Sequence, residues 1–300
     1  MRSRFATDRQ LTVRMLTVVF LLGLLYVGFV AALIVLLKSA VLIVVIIGGM
    51  LVAQFWYSDR IALYAMHAKE VTAEEEPRLH GAVDRLCTLA DMPKPRIAVS
   101  RTDLPNAFAT GRNADHAVIC VTTGLLRRLE PDELDGVLAH ELSHVAHRDV
   151  AVITIASFLG VLAGLIARFA LYSGLMRGRR GSPQLAVVFA AVMGASIAVY
   201  TISFLLIRTL SRYRELAADR SAAELTGRPS ALASALVKVS GQIARIPTRD
   251  LRTAQNFNAF FFAPALGQGR DLSNLLSTHP TLEKRLDALA RISARLGEPE

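Results

Sequence analysis

Cysteine is nearly absent from this chain. Cys87 and Cys120 are its only two, and they form neither a metal-binding cysteine motif nor a disulfide framework. They read as two buried thiols in a reducing compartment. No nucleic-acid-binding motif is present, and no internal repeat beyond a pair of apolar hairpins. Charged residues are scarce inside the apolar runs, which argues against a polar transport path through a membrane. Acidic residues fall short of basic ones, 25 against 34, for a net charge of +9. A basic balance suits nucleic acid or an anionic membrane surface. With no motif for the first, the lipid bilayer is the simpler partner, and nucleic acid is excluded.

Apolar sequence is abundant, 53% of 300 residues, and it is concentrated in long runs. A transmembrane helix needs about 20 such residues. Four candidates follow: about 13–37, 41–56, 150–172 and 185–207. Only Lys38, Ser39 and Ala40 separate the first two, so they form a tight hairpin. Arg2, Arg4, Arg9 and Arg14 resemble a signal-peptide leader, but the run after them exceeds a signal core of roughly 7–15 residues. The N-terminus is therefore expected to stay as an anchor. Lys and Arg near the span ends set orientation. Arg60, Lys69, Arg148, Arg208, Arg212, Arg214 and Arg220, with the N-terminal four, place both termini and the middle segment in the cytoplasm; Arg177, Arg179 and Arg180 oppose this.

The expected organisation is an N-terminal hairpin at 1–57, a cytoplasmic catalytic region at 58–149, a second hairpin at 150–207 and a C-terminal cytoplasmic region at 208–300. In the middle region Leu79, Val83, Leu86 and Leu89 recur at helical spacing across Glu76–Leu89. Ile97–Val99, Asn106–Thr110 and Ala117–Val121 read as short strands, with Gly111 and Asp115 as turn residues. Another helix starts near Pro131, with Asp132 and Glu133 in its first turn. The last region is mostly helical, interrupted by the Gly/Pro-punctuated stretch Ile246–Gly269 and its cluster Phe260, Phe261 and Phe262. The predicted fold class is a mostly α membrane protein, with four transmembrane helices in two hairpins and an α+β, zincin-like catalytic domain holding a small antiparallel sheet.

The chemistry is concentrated in His140-Glu141-Leu142-Ser143-His144. On a helix, positions four apart share a face, so His140 and His144 can reach one metal ion while Glu141 points to the adjacent side. Zinc suits such ligands and keeps a position open for water, whose pKa it brings down to about 7. Hairpin geometry locates a third ligand. His144 lies shortly before the third span and Glu215 shortly after the fourth, so both rise roughly 10 Å from one membrane face. Asp219 follows one helical turn after Glu215, placed to accept the second ring N–H of a ligand histidine. His147 shares the histidine face but sits two turns, about 10 Å, from His140, too far for one zinc. Asp149 reads as a capping or solvated residue at the membrane boundary, and Glu224 as solvated.

Four motifs occur in order: Asn106-Ala107-Phe108-Ala109-Thr110-Gly111, the His140–His144 motif, Arg214-Glu215-Leu216-Ala217-Ala218-Asp219, and Ser277-Thr278-His279-Pro280. In these the chain resembles the HtpX family of bacterial membrane metalloproteases, itself similar to the CAAX prenyl proteases, over essentially its whole length. The resemblance implies one Zn2+ held by His140, His144 and Glu215, Glu141 as general base and Asp219 behind a ligand histidine. It further implies that Asn106 lies on an edge strand pairing with extended substrate, and that His279 and Arg285 stabilise the oxyanion. His147 departs from the residue expected at its position. The implied role is quality control of misfolded membrane proteins at the plasma membrane; no oligomeric state is implied. Three rivals are weighed. Cleavage within the lipid is disfavoured by the polar flanks Pro131–Asp135 and His147–Asp149. A prenyl-protein protease has more spans. A non-catalytic membrane protein with a structural zinc normally closes the site with four protein ligands.

Overall fold

A computed structural model of the protein describes residues 9–37, 40–147, 149, 162, 183–243 and 279–297. The third expected span (except Leu162), the Ile246–Gly269 stretch with its phenylalanines, and Arg177, Arg179 and Arg180 lie outside them. The chain divides into two compact units: residues 1–11, 58–151 and 211–300 form one, and 12–57 and 152–210 the other.

The second unit contains apolar helices. Helix α1 is Arg9–Leu37 and α2 is Ala40–Trp56. Helix α7, Pro183–Thr226, contributes its apolar N-terminal half. Arg9–Ile34 and Ala190–Thr226 are long and apolar enough to cross a membrane, and Val45–Trp56 is a shorter apolar helix. Val13, Leu16, Phe20, Leu24 and Val27 on α1 are all exposed. A helix apolar all round with so little of it covered belongs in lipid rather than in a soluble core.

The first unit carries the sheet and its helices. Helix α3 (Ser58–Ala65) leads into β1 (Ala68–Glu70), followed by α4 (Pro77–Ala90), β2 (Arg96–Ser100), β3 (Ala107–Thr110) and β4 (Val118–Thr122). Then come the short α5 (Thr123–Leu126), α6 (Pro131–Ala146), the end of α7, α8 (Pro229–Ile243) and α9 (Leu282–Leu296). Helix α4 begins on Pro77, whose fixed φ suits a first turn, and ends at Asp91 in the left-handed region. Helix α6 begins on Pro131, and Glu133 accepts from the Glu130 N–H at 2.9 Å, satisfying a donor the helix leaves open.

The strand order is β1-β2-β4-β3. The expectation of an antiparallel sheet is corrected here. β1 pairs antiparallel with β2 and β3 with β4, but β2 and β4 run parallel, with Ile97 opposite Ile119 and Val99 opposite Val121. After β2 the chain crosses to the far edge as β3 and returns through a tight turn as β4. That brings β4 back beside β2 in the same direction. β1 is an additional strand. The run Val118-Ile119-Cys120-Val121 is buried on both faces, as a central strand requires. Ile97, Val99, Ala107, Ile119 and Val121 face the main core, with α4, α6, α8 and α9. Ala98, Phe108, Val118 and Cys120 alternate to the other face, beside Ala62 of α3. The turn into β4 needs Gly111, at φ +133°, because a Cβ there would lie 2.4 Å from the His116 carbonyl oxygen. Among the described strands β3 lies at the sheet edge and packs near α6, the helix that carries His140 and His144.

Candidate metal centre and active site

All the charged side chains of the candidate site belong to the first unit. Helix α6 buries His140, Glu141 and His144 on its inner face, and α7 buries Glu215 and Asp219 one turn apart. The imidazoles meet edge to face, ring centres 4.8 Å apart, with Nε2 atoms separated by 3.2 Å. Glu215 closes the triangle: Oε2 lies 3.6 Å from His140 Nε2, and Oε1 lies 3.6 Å from His144 Nε2. One ligand atom from each of the three residues falls within 4.8 Å of the others.

The other ring nitrogens explain why these atoms converge. His140 Nδ1 is 3.0 Å from Asp219 Oδ1, and His144 Nδ1 is 2.8 Å from Asp149 Oδ2. A carboxylate can only accept, so in a neutral ring these neighbours favour the proton on Nδ1 and a lone pair on Nε2. Two lone pairs 3.2 Å apart, facing a buried carboxylate, repel unless a proton or a metal cation lies between them. The donor set of two imidazoles and one carboxylate fits zinc.

Charge at the site follows the same logic. Glu215 and Asp219 lie beyond the apolar stretch of α7. Burial pushes both carboxyls up, but His279 and the ligand histidines around Glu215, and Arg285 beside Asp219, outweigh it and hold both below the usual range. Burial also opposes charge on His140, yet the carboxylates of Asp219 and Glu215 raise it to about 9 when no metal competes for the ring. Arg285 is 1% exposed; its Nε and Nη2 fork onto Asp219 at 2.7 and 2.6 Å, and Nη1 lies 3.8 Å from Glu215. His279 Nδ1 lies 3.1 Å from Glu215 Oε2. Residues 279 and 285 therefore sit against the carboxylates of α7, at the start of α9.

Asn106 lies just ahead of β3 and is fully buried. Its N–H donates to Thr122 Oγ1 at 2.9 Å and its carbonyl accepts from the Thr122 N–H at 2.9 Å, fixing the entry into the edge strand. His147 does not join the cluster; its Nδ1 is 2.8 Å from the Ser143 carbonyl. Both cysteines are free and buried. Burial pushes Cys87 up to about 11 and Cys120 up to about 12, so neither is a nucleophile at neutral pH.

Sequence reasoning missed two residues. Asp149, expected at the boundary as a capping or solvated residue, is 1% exposed and rests on His144. Arg214, counted among the orienting surface charges, is 8% exposed and its Nε lies 3.1 Å from Asp149 Oδ2. The available signal was position: Arg214 immediately precedes Glu215, and Asp149 follows His144 by little more than a turn.

Residues 73–293 match the model of peptidase family M48. The chain belongs to peptidase family M48. It is 70% identical to Protease HtpX homolog 1 of Streptomyces coelicolor, over 99% of this chain and 98% of that protein. It is 50% identical to the Protease HtpX homolog of Moorella thermoacetica, over 99% of both. The crystal structure of S. mikatae Ste24p is similar in fold, with a TM-score of 0.51 at 19% identity, over 93% of this chain and 65% of that one. The M48 chain is thus an HtpX-type metalloprotease, and its long apolar helices make it a membrane protein.

Proposed function

We propose that the chain is a four-span, zinc-dependent endopeptidase whose catalytic unit and termini face the cytoplasm, and which degrades misfolded membrane proteins. The observation that carries the catalytic part is the convergence of His140 Nε2, His144 Nε2 and a Glu215 carboxylate oxygen beside the buried Glu141. His140, His144 and Glu215 hold the metal. When bound, zinc supplies Lewis acidity, polarising a carbonyl and acidifying water.

The chain's own residues do the rest. Glu141, next to His140 on α6, takes a proton from the attacking water and delivers it to the leaving amine. Asp219 keeps His140 in the tautomer that offers Nε2, and Arg285 holds Asp219 ionised. Buried and forked onto Asp219, Arg285 supports the oxyanion through these carboxylates rather than by touching substrate. His279 keeps Nδ1 on Glu215, leaving Nε2 as its second hydrogen-bonding atom, and we assign that atom to the oxyanion. The edge strand β3, fixed at its start by Asn106, pairs with extended substrate through main-chain hydrogen bonds. Main-chain pairing selects for unfolded, extended segments rather than for side chains, which suits a quality-control enzyme.

The test is metal content and cleavage of casein or a destabilised membrane protein by detergent-solubilised wild type and Glu141→Gln. The reading expects about one zinc in each protein and cleavage by the wild type alone. Full activity in Glu141→Gln refutes Glu141 as the base.

A further inference from the structure

The two ligand histidines are supported in parallel. On one side Arg285 holds Asp219, and Asp219 lies against His140 Nδ1. On the other, Arg214 lies against Asp149, and Asp149 takes the proton of His144 Nδ1. The first carboxylate comes from the glutamate helix and serves the histidine of another helix. The second comes from beyond the end of α6 and is braced by Arg214, next to the third ligand. We propose that Asp149 and Arg214 are a positioning pair for His144, setting its tautomer and thereby the metal affinity of the site; this rests on the reading of His144 as a ligand.

The geometry gives the reason both members are needed. His144 Nδ1 has two close neighbours of opposite kind: Asp149 Oδ2 at 2.8 Å, which accepts, and Arg214 Nη2 at 3.4 Å, which donates. The nearer, charged acceptor keeps the proton on Nδ1 and the lone pair on Nε2. Remove the carboxylate and, among the described residues, the guanidinium is the charged group left beside Nδ1. It then favours the opposite tautomer, with an N–H at Nε2 pointing toward Glu215 and the metal position. Arg214 in turn keeps Asp149 ionised: its Nε is 3.1 Å from the same Oδ2, an ion pair rather than an aligned hydrogen bond. Asp149 is 1% exposed and Arg214 8%, so water screens neither.

The pair also links the two ligand-bearing elements through charge. Arg214 neighbours Glu215 in sequence, and Asp149 follows the His140–His144 helix. A shift of α7 relative to α6 therefore moves a ligand and the brace of the opposite ligand together.

The experiment uses the full chain in detergent and reads zinc affinity by competition with a chelator, alongside thermal unfolding of the metal-free protein. Asp149→Asn keeps the shape and removes the charge. It is expected to weaken zinc binding roughly 10–100-fold, with metal-free unfolding close to wild type. Adding Arg214→Met to Asp149→Asn removes the guanidinium that favours the wrong tautomer, so the double variant is expected to bind zinc more tightly than the single one. Asp149→Asn with wild-type zinc affinity overturns the proposal. So does a loss of affinity that the double variant deepens additively, or one that tracks an equal loss of metal-free stability. A wild type that binds no zinc overturns instead the assignment of the metal site.

Discussion

Replacing Arg285 by Met is the most searching perturbation of the candidate site. Methionine keeps an unbranched side chain of similar length and removes the charge. Arg285 is 1% exposed and Asp219 fully buried, and two charge-assisted hydrogen bonds of 2.7 and 2.6 Å join them. Surface ion pairs contribute little because water competes for both partners; here water has no access. Without Arg285, Asp219 stays buried beside Glu215 with no compensating guanidinium. Removing one partner of such a pair costs about 3–5 kcal/mol. The metal-free protein above pH 9, where His140 is neutral, isolates this cost, since a bound cation or a protonated His140 would supply part of the missing charge. The effect is local to α9, whose Leu289 and Ile292 pack in the core and whose first turn carries Arg285. Hydrogen exchange of residues 282–296 in EDTA reads it directly. A loss of that size lowers protection by roughly a hundred- to several-thousand-fold. The double variant Arg285→Met/Asp219→Asn no longer buries a lone charge and should recover at least about half of the loss. A single variant with protection within tenfold of wild type refutes the claim that the pair is desolvated. A double variant no better than the single one refutes the claim that the stranded carboxylate is the cause.

Two further outcomes are expected. In the metal-free protein, His140 titrates at about 9 rather than 6.5, so its charge contributes stability that is fully present below 6.5 and lost as pH rises through 9. Metal-stripped protein should therefore melt lower as pH climbs through that window, while the zinc-loaded form, whose ring is held neutral, should not; identical profiles with and without EDTA would count against the site. Gly124 sits where a Cβ would lie 2.2 Å from the Asp103 carbonyl oxygen. Gly124→Ala should cost about 1–3 kcal/mol of overpacking and displace the 101–106 loop that enters β3, raising KM for an extended peptide more than it lowers kcat; an unchanged KM would disconnect that loop from substrate.

What was legible in the sequence depended on whether the signal was local. Leu79, Val83, Leu86 and Leu89 announce α4 by their spacing; the first three are buried and Leu89 is exposed. The expected strands differ from β2, β3 and β4 by one or two residues at their ends. The His140–His144 pair is one helical turn and could be read from spacing alone; Glu215 needed its position just after the fourth expected span, and Asp219 follows it by one turn. Strand direction could not. Whether β4 pairs with β2 in parallel depends on whether β3, which separates them in sequence, goes to the outer edge, a long-range choice with no local mark. Asp149 and Arg214 failed for a different reason. A charged residue near an apolar run is ordinarily solvated, and only burial reveals that these two face each other and a ligand histidine. Arg208 repeats the point: counted as an orienting charge, it is 4% exposed and lies 4.2 Å over the Phe204 ring.

Charge balance is the constraint that joins these pieces. Around the cluster, Glu141, Asp149, Glu215 and Asp219 are buried carboxylates, while Arg214 and Arg285 are the buried guanidiniums among the described residues of this unit. With His140, His144 and the buried His279 all neutral, two negative charges remain uncompensated. An interior cannot hold them unpaired. Without metal the protein does what such a site must: it raises the affinity of His140 for a proton. One proton supplies half of the deficit, and a divalent cation supplies all of it. The preference for a divalent ion over a monovalent one therefore follows from the two arginines as well as from the ligands. Arg285 and Arg214 each lie against one carboxylate beside a histidine, leaving the charges of Glu215 and Glu141, the proposed ligand and base, for a metal to balance.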